Sequence, residues 1–280
     1  PKSVSRFLQV LQEGRRTAID TTISSENALE RLQLISQGRP TNTAILLFGE
    51  TPQRFIQQSE VRAGRFKGCD MSQGFLDMAE PIQGTLLEQI TASENFIRKH
   101  INRKVTVGPD SFKRVEEWDY PLEALREAVT NALCHRDYSS SANVQIRIFD
   151  DRIEIWNPGT LPPGVTVESL KGEHLSRPKN KNIARLLYLA KMIEQWGTGT
   201  STMVSTCLKY GLEEPEFIDS GIDFRVIIRK SDDSSISAVL SLLNNRQKAA
   251  FHYLLEENSH LNSTEYASLF TCTDRTARND

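Results

Sequence analysis

The 280-residue sequence contains only four cysteines and no long apolar run. Cys69, Cys134, Cys207 and Cys272 are widely separated, and none belongs to a CxxC pair. This spacing argues against a disulfide framework and is typical of reduced thiols in the cytosol. No apolar stretch approaches the ~18 residues that a membrane-spanning helix needs, and residues 1–16 lack the apolar core of a signal peptide. We therefore expect a cytoplasmic protein with no membrane partner.

The sequence also lacks an excess of basic charge. Its net charge of −2 is distributed as +3 over residues 1–105, −4 over residues 106–235 and −1 over residues 236–280. A domain that binds nucleic acid through its overall charge would have a strong positive balance. Any nucleic-acid binding must therefore come from local basic patches.

Several common motifs are absent as well. The Walker pattern GxxxxGK[ST] does not occur, which excludes the motor of a helicase. The segment Gly197-x-Gly199 lacks the third glycine of the Rossmann fingerprint, and it follows a predicted helix where that fingerprint follows a strand. The five histidines form no HxxxH or HExxH pattern, so we expect no metal cluster built from cysteine and histidine.

The spacing of apolar residues predicts an α/β (α+β) protein. In chain order, the predicted elements are mostly helix over 1–40 ending near Gly38, a buried strand at 43–49, a basic strand at 60–68, a helix at 84–101, a helix at 122–136 with Pro121 at its first turn, a hairpin of strands 143–149 and 152–157, helices at 181–193 and 200–210, and a final hairpin through 223–229. Residues 106–120 show no regular pattern. The long loop 158–179 is rich in proline and glycine, and such a loop in a compact domain is usually functional or disordered.

The helix over 122–136 carries polar residues at helical spacing. Its apolar residues share one side, while Glu127 and Asn131 fall on the opposite side with His135 at the edge. These residues either form a solvated face or line a pocket. In a pocket, an acid could polarise an attacking water, and an amide oxygen could bind Mg²⁺.

Downstream, Gly197, Thr198 and Gly199 precede a predicted helix. Glycine allows a phosphate to approach the backbone closely, and the start of a helix carries partial positive charge. A Gly-Thr-Gly segment is also compatible with a plain turn. The order of the motifs carries more information than any one of them: E-x-x-x-N on a helix, a strand that ends in Asn-Pro-Gly, a long loop, and Gly-Thr-Gly before a helix.

That order resembles the GHKL nucleotide-binding fold of gyrase, heat-shock chaperones, histidine kinases and MutL. Residues 43–230 look more specifically like bacterial and archaeal transcriptional regulators labelled RecG-like or Schlafen-AlbA. The stretches that carry this resemblance are AILLFGETPQRF (44–55), VRAGRFKG (61–68), LREAVTNALCHRDYS (125–139), IEIWNPGTLP (153–162), SRPKNKNIARLL (176–187) and IEQWGTGTSTM (193–203).

The resemblance implies ATP and Mg²⁺ as cofactors and a role for each matching residue. Glu127 would be the catalytic acid that activates water, and Asn131 would be the Mg²⁺ ligand. The other cofactor-binding positions would be His135, Asp137, Asn157, Gly159, Arg177, Asn180, Gly197, Thr198 and Gly199, with Asn157 and Gly159 at adenine, Arg177 and Asn180 in a lid, and the last three at the phosphates.

One position departs from the GHKL pattern. Where that family has Asp-x-Gly-x-Gly at adenine, this sequence has Asn157-Pro158-Gly159-Thr160-Leu161. The asparagine oxygen can still accept a hydrogen bond from an exocyclic amine, but the second glycine is missing. Adenine selectivity and turnover both stay open at this point.

The resemblance further implies three regions. Residues 1–105 would be a partial AlbA-like nucleic-acid-binding segment lacking its usual first half, with Arg62, Arg65 and Lys67 toward DNA; residues 106–231 would be the GHKL-like domain. Residues 239–280, three short predicted helices, would be a winged helix-turn-helix truncated at Asp280, as expected of a piece of a longer protein. Its DNA-contacting residues would be Thr273, Arg275, Thr276 and Arg278, with Thr273 as the helix cap.

Three functions are compatible with these features. The protein could be a transcriptional regulator that binds DNA and senses ATP, an active Mg²⁺-dependent ATPase, or a structural or dimerising module that has lost nucleotide binding. The expected partners are DNA and a nucleotide, and a homodimer is compatible with the helix-turn-helix, because such proteins commonly read two half-sites.

Overall fold

The computed structural model describes residues 2–13, 23–107, 114–172, 175–193, 197–230, 243–244, 246–250, 253 and 262–279. The chain divides into two compact units, residues 1–230 and residues 231–280. The larger unit is a mixed α/β fold, which confirms the predicted fold class. Its elements are α1 (Lys2–Glu13), α2 (Ser25–Arg31), β1 (Ile35–Ser36), β2 (Arg39–Pro40), α3 (Asn42–Phe48), β3 (Val61–Phe66), β4 (Phe75–Met78), α4 (Leu86–His100), β5 (Arg103–Val107), β6 (Arg114–Trp118), α5 (Leu122–His135), β7 (Val144–Ile148), β8 (Arg152–Pro158), α6 (Lys181–Leu189), α7 (Gly199–Lys209), β9 (Glu216–Asp219) and β10 (Asp223–Arg229).

A six-stranded mixed sheet lies at the centre of this unit, in the order β4-β3-β7-β8-β10-β9. Neighbouring strands are antiparallel except β3 and β7, which are parallel. The registers place Ile155 of β8 opposite Ile146 of β7 and Val226 of β10. All three side chains are buried, so the middle of the sheet contributes one apolar surface to the core.

Helices α4 and α5 cover that apolar surface. Helix α4 packs on β3 and β7, and α5 packs on β8 and against α4, α6 and α7. A capping box starts α4, in which Thr85 Oγ1 accepts from the backbone N–H of Glu88 and the Glu88 carboxylate accepts from the backbone N–H of Thr85. The helices thereby fix α5 above the strands that follow it in the sequence.

The opposite face of the sheet carries charge and an aromatic ring. Because side chains alternate along a strand, Trp156 points away from the side on which Ile155 and Asn157 lie. Its indole ring is stacked between two guanidinium groups, with the central carbon of Arg147 3.8 Å and that of Arg225 3.5 Å from the ring centroid. This face is therefore built from paired polar groups around a flat ring.

The expected strand at 43–49 is wrong, because these residues form helix α3. Thr41 caps its start by accepting a hydrogen bond from the backbone N–H of Ala44. Ala44, Leu46, Leu47 and Phe48 are all buried. A short segment buried on several sides has no polar stripe, so its apolar run cannot be distinguished from a strand by periodicity alone.

The expected boundary at residue 105 does not separate two compact units. Strand β3 pairs in parallel with β7, with Val61 opposite Val144 and Arg65 opposite Ile148. Residues 61–78 are thus part of the sheet that was assigned to the second region. The sequence contains no signal for this pairing, because β3 and β7 are about 80 residues apart.

Other elements match more closely. The predicted helices at 84–101 and 122–136, the basic strand and the hairpin at 143–157 are confirmed by α4, α5, β3, β7 and β8, although Pro121 precedes α5 as its N-cap. Helix α6 ends at Leu189, four residues early, and α2 ends at Arg31, well before Gly38. The irregular stretch 106–120 contains parts of the paired strands β5 and β6.

The smaller unit contains two described helices, α8 (Ser263–Leu269) and α9 (Asp274–Asn279), and residues 246–250 are helical as well. Helix α8 begins with a capping box between Asn262 and Glu265. The first of the three predicted helices falls partly outside the described residues. The helices and the turn between α8 and α9 are compatible with a helix-turn-helix, and the wing and the DNA-binding role stay predictions.

Candidate functional site

A cavity of about 130 Å³ lies between α5, the ends of β8 and β10, the loop 159–180 and the start of α7. Most of its lining is apolar, and the polar side chains converge from several elements. The polar and glycine lining residues are Glu127, Asn131, His135, Asn157, Thr160, Ser176, Arg177, Gly197, Gly199 and Thr200. A mostly apolar cleft with a few convergent polar groups is the usual form of a small-molecule site.

This cavity decides between the two alternatives for the polar side of α5, a solvated face or the lining of a pocket. Glu127 and Asn131 line it, and Asn131 Nδ2 donates a hydrogen bond of 2.8 Å to Glu127 Oε1. Leu125, Val129 and Leu133, on the other side of the helix, are buried in the core. The polar side of α5 therefore faces a pocket.

Helix α7 begins directly against Glu127. A Cβ atom added to Gly199 would lie 1.9 Å from Glu127 Oε1 and 2.8 Å from its Cδ, so only glycine leaves room for the carboxylate here. The carboxylate is thus held at the start of α7, where the exposed backbone N–H groups favour a negative charge. Gly197 also lines the cavity and has a φ of +73°, a conformation that favours glycine.

Sequence reasoning missed Thr200. Its hydroxyl oxygen is buried at the second residue of α7, lines the cavity and has no hydrogen-bond partner among the described residues. A buried hydroxyl without a partner is costly. The sequence Gly197-Thr198-Gly199-Thr200 contained a signal for it. Thr200 follows the second glycine, so its side chain is the first in α7 that can reach the cavity that the glycines line.

Thr198, in contrast, does not line the cavity. It is the N-cap residue of α7, and its carbonyl oxygen accepts from the backbone N–H of Thr202 at 2.8 Å and from Ser201 Oγ at 2.9 Å. Its role in the structure is to start the helix that carries Gly199 and Thr200.

The end of β8 supplies Asn157, which is 5% exposed and lines the cavity. With its amide nitrogen toward α5, Nδ2 lies 3.0 Å from the carbonyl oxygen of Ala132. Gly159 follows at a φ of +125° and passes close to Asp137, whose backbone nitrogen would be 3.3 Å from an added Cβ. The Asn-Pro-Gly segment therefore brings the strand end onto the C-terminal turn of α5.

Asp137 lies beside the cavity, between the end of α5 and the loop that carries Lys179. Its carboxylate accepts hydrogen bonds from Lys179 Nζ at 2.8 Å and from the backbone N–H of Ser139 at 2.9 Å. These contacts, with Lys179 the largest, hold the pKa of the Asp137 carboxyl well below its usual range. Asp137 therefore anchors the loop and does not line the cavity.

The two loop residues predicted to form the lid also differ in position: one lines the cavity and the other does not. Arg177 lines the cavity, is exposed and donates to the carbonyl oxygen of Pro163 at 2.8 Å. Asn180 instead donates to the carbonyl oxygens of Cys134 at 2.9 Å and Arg136 at 2.8 Å, so it caps the end of α5. The structure thus places Asn180 at the end of α5, and it does not line the cavity.

His135 lines the cavity at the last turn of α5. Its neighbour Cys134 is fully buried, and burial, with a smaller contribution from the Glu127 charge, raises the pKa of its thiol to about 12. This thiol stays protonated at neutral pH and is not a nucleophile.

The basic residues of β3 lie outside the cavity. Arg62 is exposed and pairs with Glu60 at 2.7 Å, and Lys67 is exposed. Arg65 is mostly covered: it forms an ion pair with Asp150 and donates to the carbonyl oxygen of Ile148 at 3.3 Å. Arg65 therefore serves the fold, and Arg62 and Lys67 are the members of this group that reach solvent.

In the smaller unit, Thr273 Oγ1 accepts from the backbone N–H of Thr276 at 3.3 Å, which is the predicted cap of α9. Arg275 is exposed, and Thr276 is partly covered. The side chain of Arg278 lies outside the described residues.

In the part of the chain that the structure describes, no helix is long and apolar enough to cross a membrane. Within those same residues, no group of three or more His, Cys, Asp or Glu side chains could hold a metal ion. A cation at Glu127 and Asn131 would thus need an amide ligand and ligands from outside the protein, as is usual for Mg²⁺.

Residues 141–228 match the family described as "Putative ATP-dependent DNA helicase recG C-terminal". The chain contains an ATPase-like domain. The matched segment includes Asn157, Arg177, Gly197 and Gly199, whereas α5 with Glu127 precedes it, so the assignment of α5 to the site rests on the cavity.

A crystal structure of the DIP2311 protein from Corynebacterium diphtheriae, a structural-genomics target, has a similar fold with a TM-score of 0.64. The alignment covers 98% of this chain at 19% identity, which shows the fold alone. It covers 56% of the DIP2311 chain, so the present chain spans about half the length of that protein. No curated protein sequence matches the chain.

Proposed function

We propose that this protein is a cytoplasmic DNA-binding transcriptional regulator whose ATPase-like domain binds ATP with Mg²⁺. The observation that carries the nucleotide part is the contact between Glu127 and Gly199 inside the cavity. It joins the E-x-x-x-N pair of α5 to the Gly-Thr-Gly start of α7, two motifs about 70 residues apart in sequence. The family match over residues 141–228 supports the same function.

The side chains around this contact fit a metal-bound triphosphate. Asn131 directs its amide nitrogen to Glu127, which leaves its amide oxygen as a donor for a hard cation. Gly197 and Gly199 allow phosphate oxygens to approach the backbone at the start of α7. The buried Thr200 hydroxyl, which has no partner among the described residues, is placed to donate to the same anion.

Asn157 fits a base with an exocyclic amine. When Nδ2 donates to the carbonyl oxygen of Ala132, the remaining polar atom of the side chain is an acceptor. Adenine offers an amine at the matching edge, whereas guanine offers a carbonyl oxygen that would oppose it. Asparagine therefore supports ATP over GTP despite its difference from the aspartate of the GHKL pattern.

Hydrolysis is the second candidate function, and the position of Glu127 favours it. Its carboxylate lies against the start of α7, where the proposal puts the phosphates and where a general base could polarise an attacking water. A regulator that only senses ATP would bind and release it without turnover, and a DNA-binding unit would respond by population shift.

The DNA-binding part rests on the smaller unit. The capped start of α9 and the exposed Arg275 are compatible with a recognition helix, and Arg62 and Lys67 add exposed cations. Because phosphate contacts dominate DNA affinity and these cations are few, we expect weak and salt-sensitive binding.

Calorimetry with ATP and Mg²⁺ on the wild-type chain and on Asn131→Ala tests the nucleotide site. We expect at least roughly tenfold weaker binding in the variant, because it loses a metal ligand and the partner of Glu127. Asn27→Ala, an exposed helical asparagine outside the cavity, is the matched control and should bind as wild type.

The outcomes separate the three functions. Binding without phosphate release, together with a change of duplex-DNA affinity when ATP is added, supports the regulator. Steady phosphate release that disappears in Glu127→Ala supports the ATPase. If ATP neither binds by calorimetry nor raises the melting temperature at millimolar concentration, the domain is a structural module and the proposal fails.

A further inference from the structure

An exposed apolar patch lies at one edge of the six-stranded sheet. Of the ten exposed large apolar side chains in the described residues, four lie within residues 71–78: Met71, Phe75, Leu76 and Met78, each at least 49% exposed. The last three belong to β4, and Met71 lies in the loop before it. Single apolar residues scattered over a surface need no explanation, but a cluster of them marks an interaction site.

The neighbouring strand β3 holds this patch in place. Phe75 lies opposite Phe66, and their ring centroids are 4.4 Å apart. Met78 lies opposite Gly64, and a Cβ added to Gly64 would lie 2.8 Å from Phe75 Cε1, so the ring rests on the bare backbone of β3. A side chain that is already ordered loses little conformational entropy when a partner covers it.

Strand β4 is an edge strand, so its outer side is available for pairing. The sheet order places β3 on one side of β4, and no described strand lies on the other. The backbone N–H of Ala79 donates inward to the carbonyl oxygen of Ala63 at 3.0 Å. Because the hydrogen-bonding direction alternates along an antiparallel strand, the N–H and C=O of Met78 point away from the sheet. An edge of this kind is a template for adding a strand.

The charged residue of β4 does not protect this edge. Asp77 turns toward α4, where its carboxylate accepts from Lys99 Nζ at 2.7 Å and contacts His100 Nε2 at 2.9 Å. The opposite edge differs, because β9 exposes Glu216, which pairs with Arg229 at 2.6 Å. Exposed charge is a usual protection of an edge strand. Of the two edges, β4 is therefore the one that combines an open backbone with exposed apolar side chains.

The two ends of β4 carry side chains of opposite charge. The backbone N–H of Lys67 donates to the carbonyl oxygen of Gly74 at 3.0 Å, which places Lys67 beside the start of the strand, and Glu80 follows its end. Both side chains are exposed, and neither forms an ion pair among the described residues. When two identical strands pair antiparallel, the start of one lies beside the end of the other. Each Lys67 would then face the Glu80 of the second copy.

We propose that β4 pairs antiparallel with β4 of a second copy of this chain about a two-fold axis, so that the patch on each copy covers the other. The opposite charges at its ends make the strand complementary to itself, which favours a second copy over an unrelated peptide. A two-fold contact uses the same surface on both copies, so pairing stops at two. A four-residue strand with four apolar side chains is small beside the roughly 800 Å² per partner of a standard interface, and we expect a dissociation constant of roughly 1–100 µM.

Sedimentation velocity over concentrations that span this range measures the self-association of the wild type, Met78→Lys and Ile222→Lys. Met78→Lys places two like charges in the contact and should weaken dimerisation by at least roughly tenfold. In Ile222→Lys, another exposed apolar residue, in the turn between β9 and β10, becomes lysine. It is the matched control and should dimerise as the wild type does. Thermal melts check that both variants remain folded.

Charge reversal tests the antiparallel arrangement. Lys67→Glu and Glu80→Lys should each weaken dimerisation by roughly threefold or more, because each brings like charges together at both ends of the contact. The double variant should recover to within about twofold of wild type, since it restores both opposite-charge pairs. A double variant no better than the single ones would overturn this arrangement.

Hydrogen exchange locates the contact. The amides of residues 75–79 should exchange more slowly as the wild-type concentration rises. The proposal is overturned if the wild type stays monomeric throughout the range. It is also overturned if Met78→Lys dimerises as the wild type does, because another surface would then carry the contact.

Discussion

The two faces of the six-stranded sheet use polar groups in opposite ways. On the face covered by α5, polar groups are few and each position is constrained: the Glu127 carboxylate fits only because residue 199 is glycine. On the other face, polar groups come in neighbouring pairs, such as Arg152 with Glu154 at 2.7 Å and Arg225 with Asp223 at 2.6 Å.

The difference teaches which changes should affect binding and which should affect stability. The pairs on the other face lie outside the cavity and are largely covered, with the Arg152 and Glu154 side chains 16% and 8% exposed, so changes there act on the packing of the sheet. Beneath α5, a single methyl group on residue 199 can displace the Glu127 carboxylate. Substitutions on the face covered by α5 should therefore change ligand binding most, and those on the other face should change stability.

Gly199→Ala should give the largest effect. The added Cβ must push the Glu127 carboxylate away from α7, and we expect ATP with Mg²⁺ to bind roughly 10–100-fold more weakly, the usual effect of disturbing groups that support a metal site. Stability should change little, because the clash is with the end of a flexible side chain and alanine favours helix. Calorimetry with ATP and Mg²⁺ and a thermal melt measure the two effects.

Gly172→Ala is the matched control for that change. An added Cβ there meets nothing within 4 Å, and the backbone does not require glycine. It should bind ATP as wild type does. Equal binding by Gly199→Ala and the wild type would mean that the Glu127–Gly199 contact is not part of a nucleotide site.

Trp156→Ala should act on stability instead. It removes a ring stacked between Arg147 and Arg225, and two such cation–π contacts together contribute about 1–2 kcal/mol at partly exposed sites. Denaturant unfolding should show this loss, with Trp156→Phe intermediate. The affinity for ATP should stay within about twofold of wild type; a tenfold loss would show that the two faces are not independent.

The contrast between α5, which has a polar side, and α3, which has none, explains which helices the sequence could predict. The E-x-x-x-N pair was visible because α5 is long enough to show helical periodicity, and its polar side stood out against Leu125, Val129 and Leu133. Helix α3 was missed because it has only seven residues and its four buried ones lie on several sides. The signal that could have identified it was local: Thr41 at the cap position before an apolar run.

Long-range pairing could not be predicted. Nothing local in β3 shows that it lies beside β7, and the expected AlbA-like boundary at residue 105 followed from treating the two segments separately. Asn180 shows the same limit near the site, since a polar residue of the predicted lid caps the end of α5 and does not line the cavity. Spacing predicts which residues share an element, but the approach of distant elements decides which ones face the cavity.

Asp137→Asn should have the smallest effect and should depend on pH. The pKa of Asp137 is lowered in the folded protein, chiefly by Lys179, so its ionised form stabilises the fold above the unfolded-state value of about 4. We expect a loss of up to about 1 kcal/mol at pH 7, reduced by salt because the pair is partly exposed. As the pH falls below about 4 toward the folded-state pKa, wild type should lose this advantage and the two stabilities should converge.

Thermal melts from pH 7 to pH 3 at two salt concentrations measure the convergence. A difference that is constant with pH would mean that neither the Lys179 pair nor the Ser139 hydrogen bonds to the ionised carboxylate stabilise the fold, since both lower its pKa.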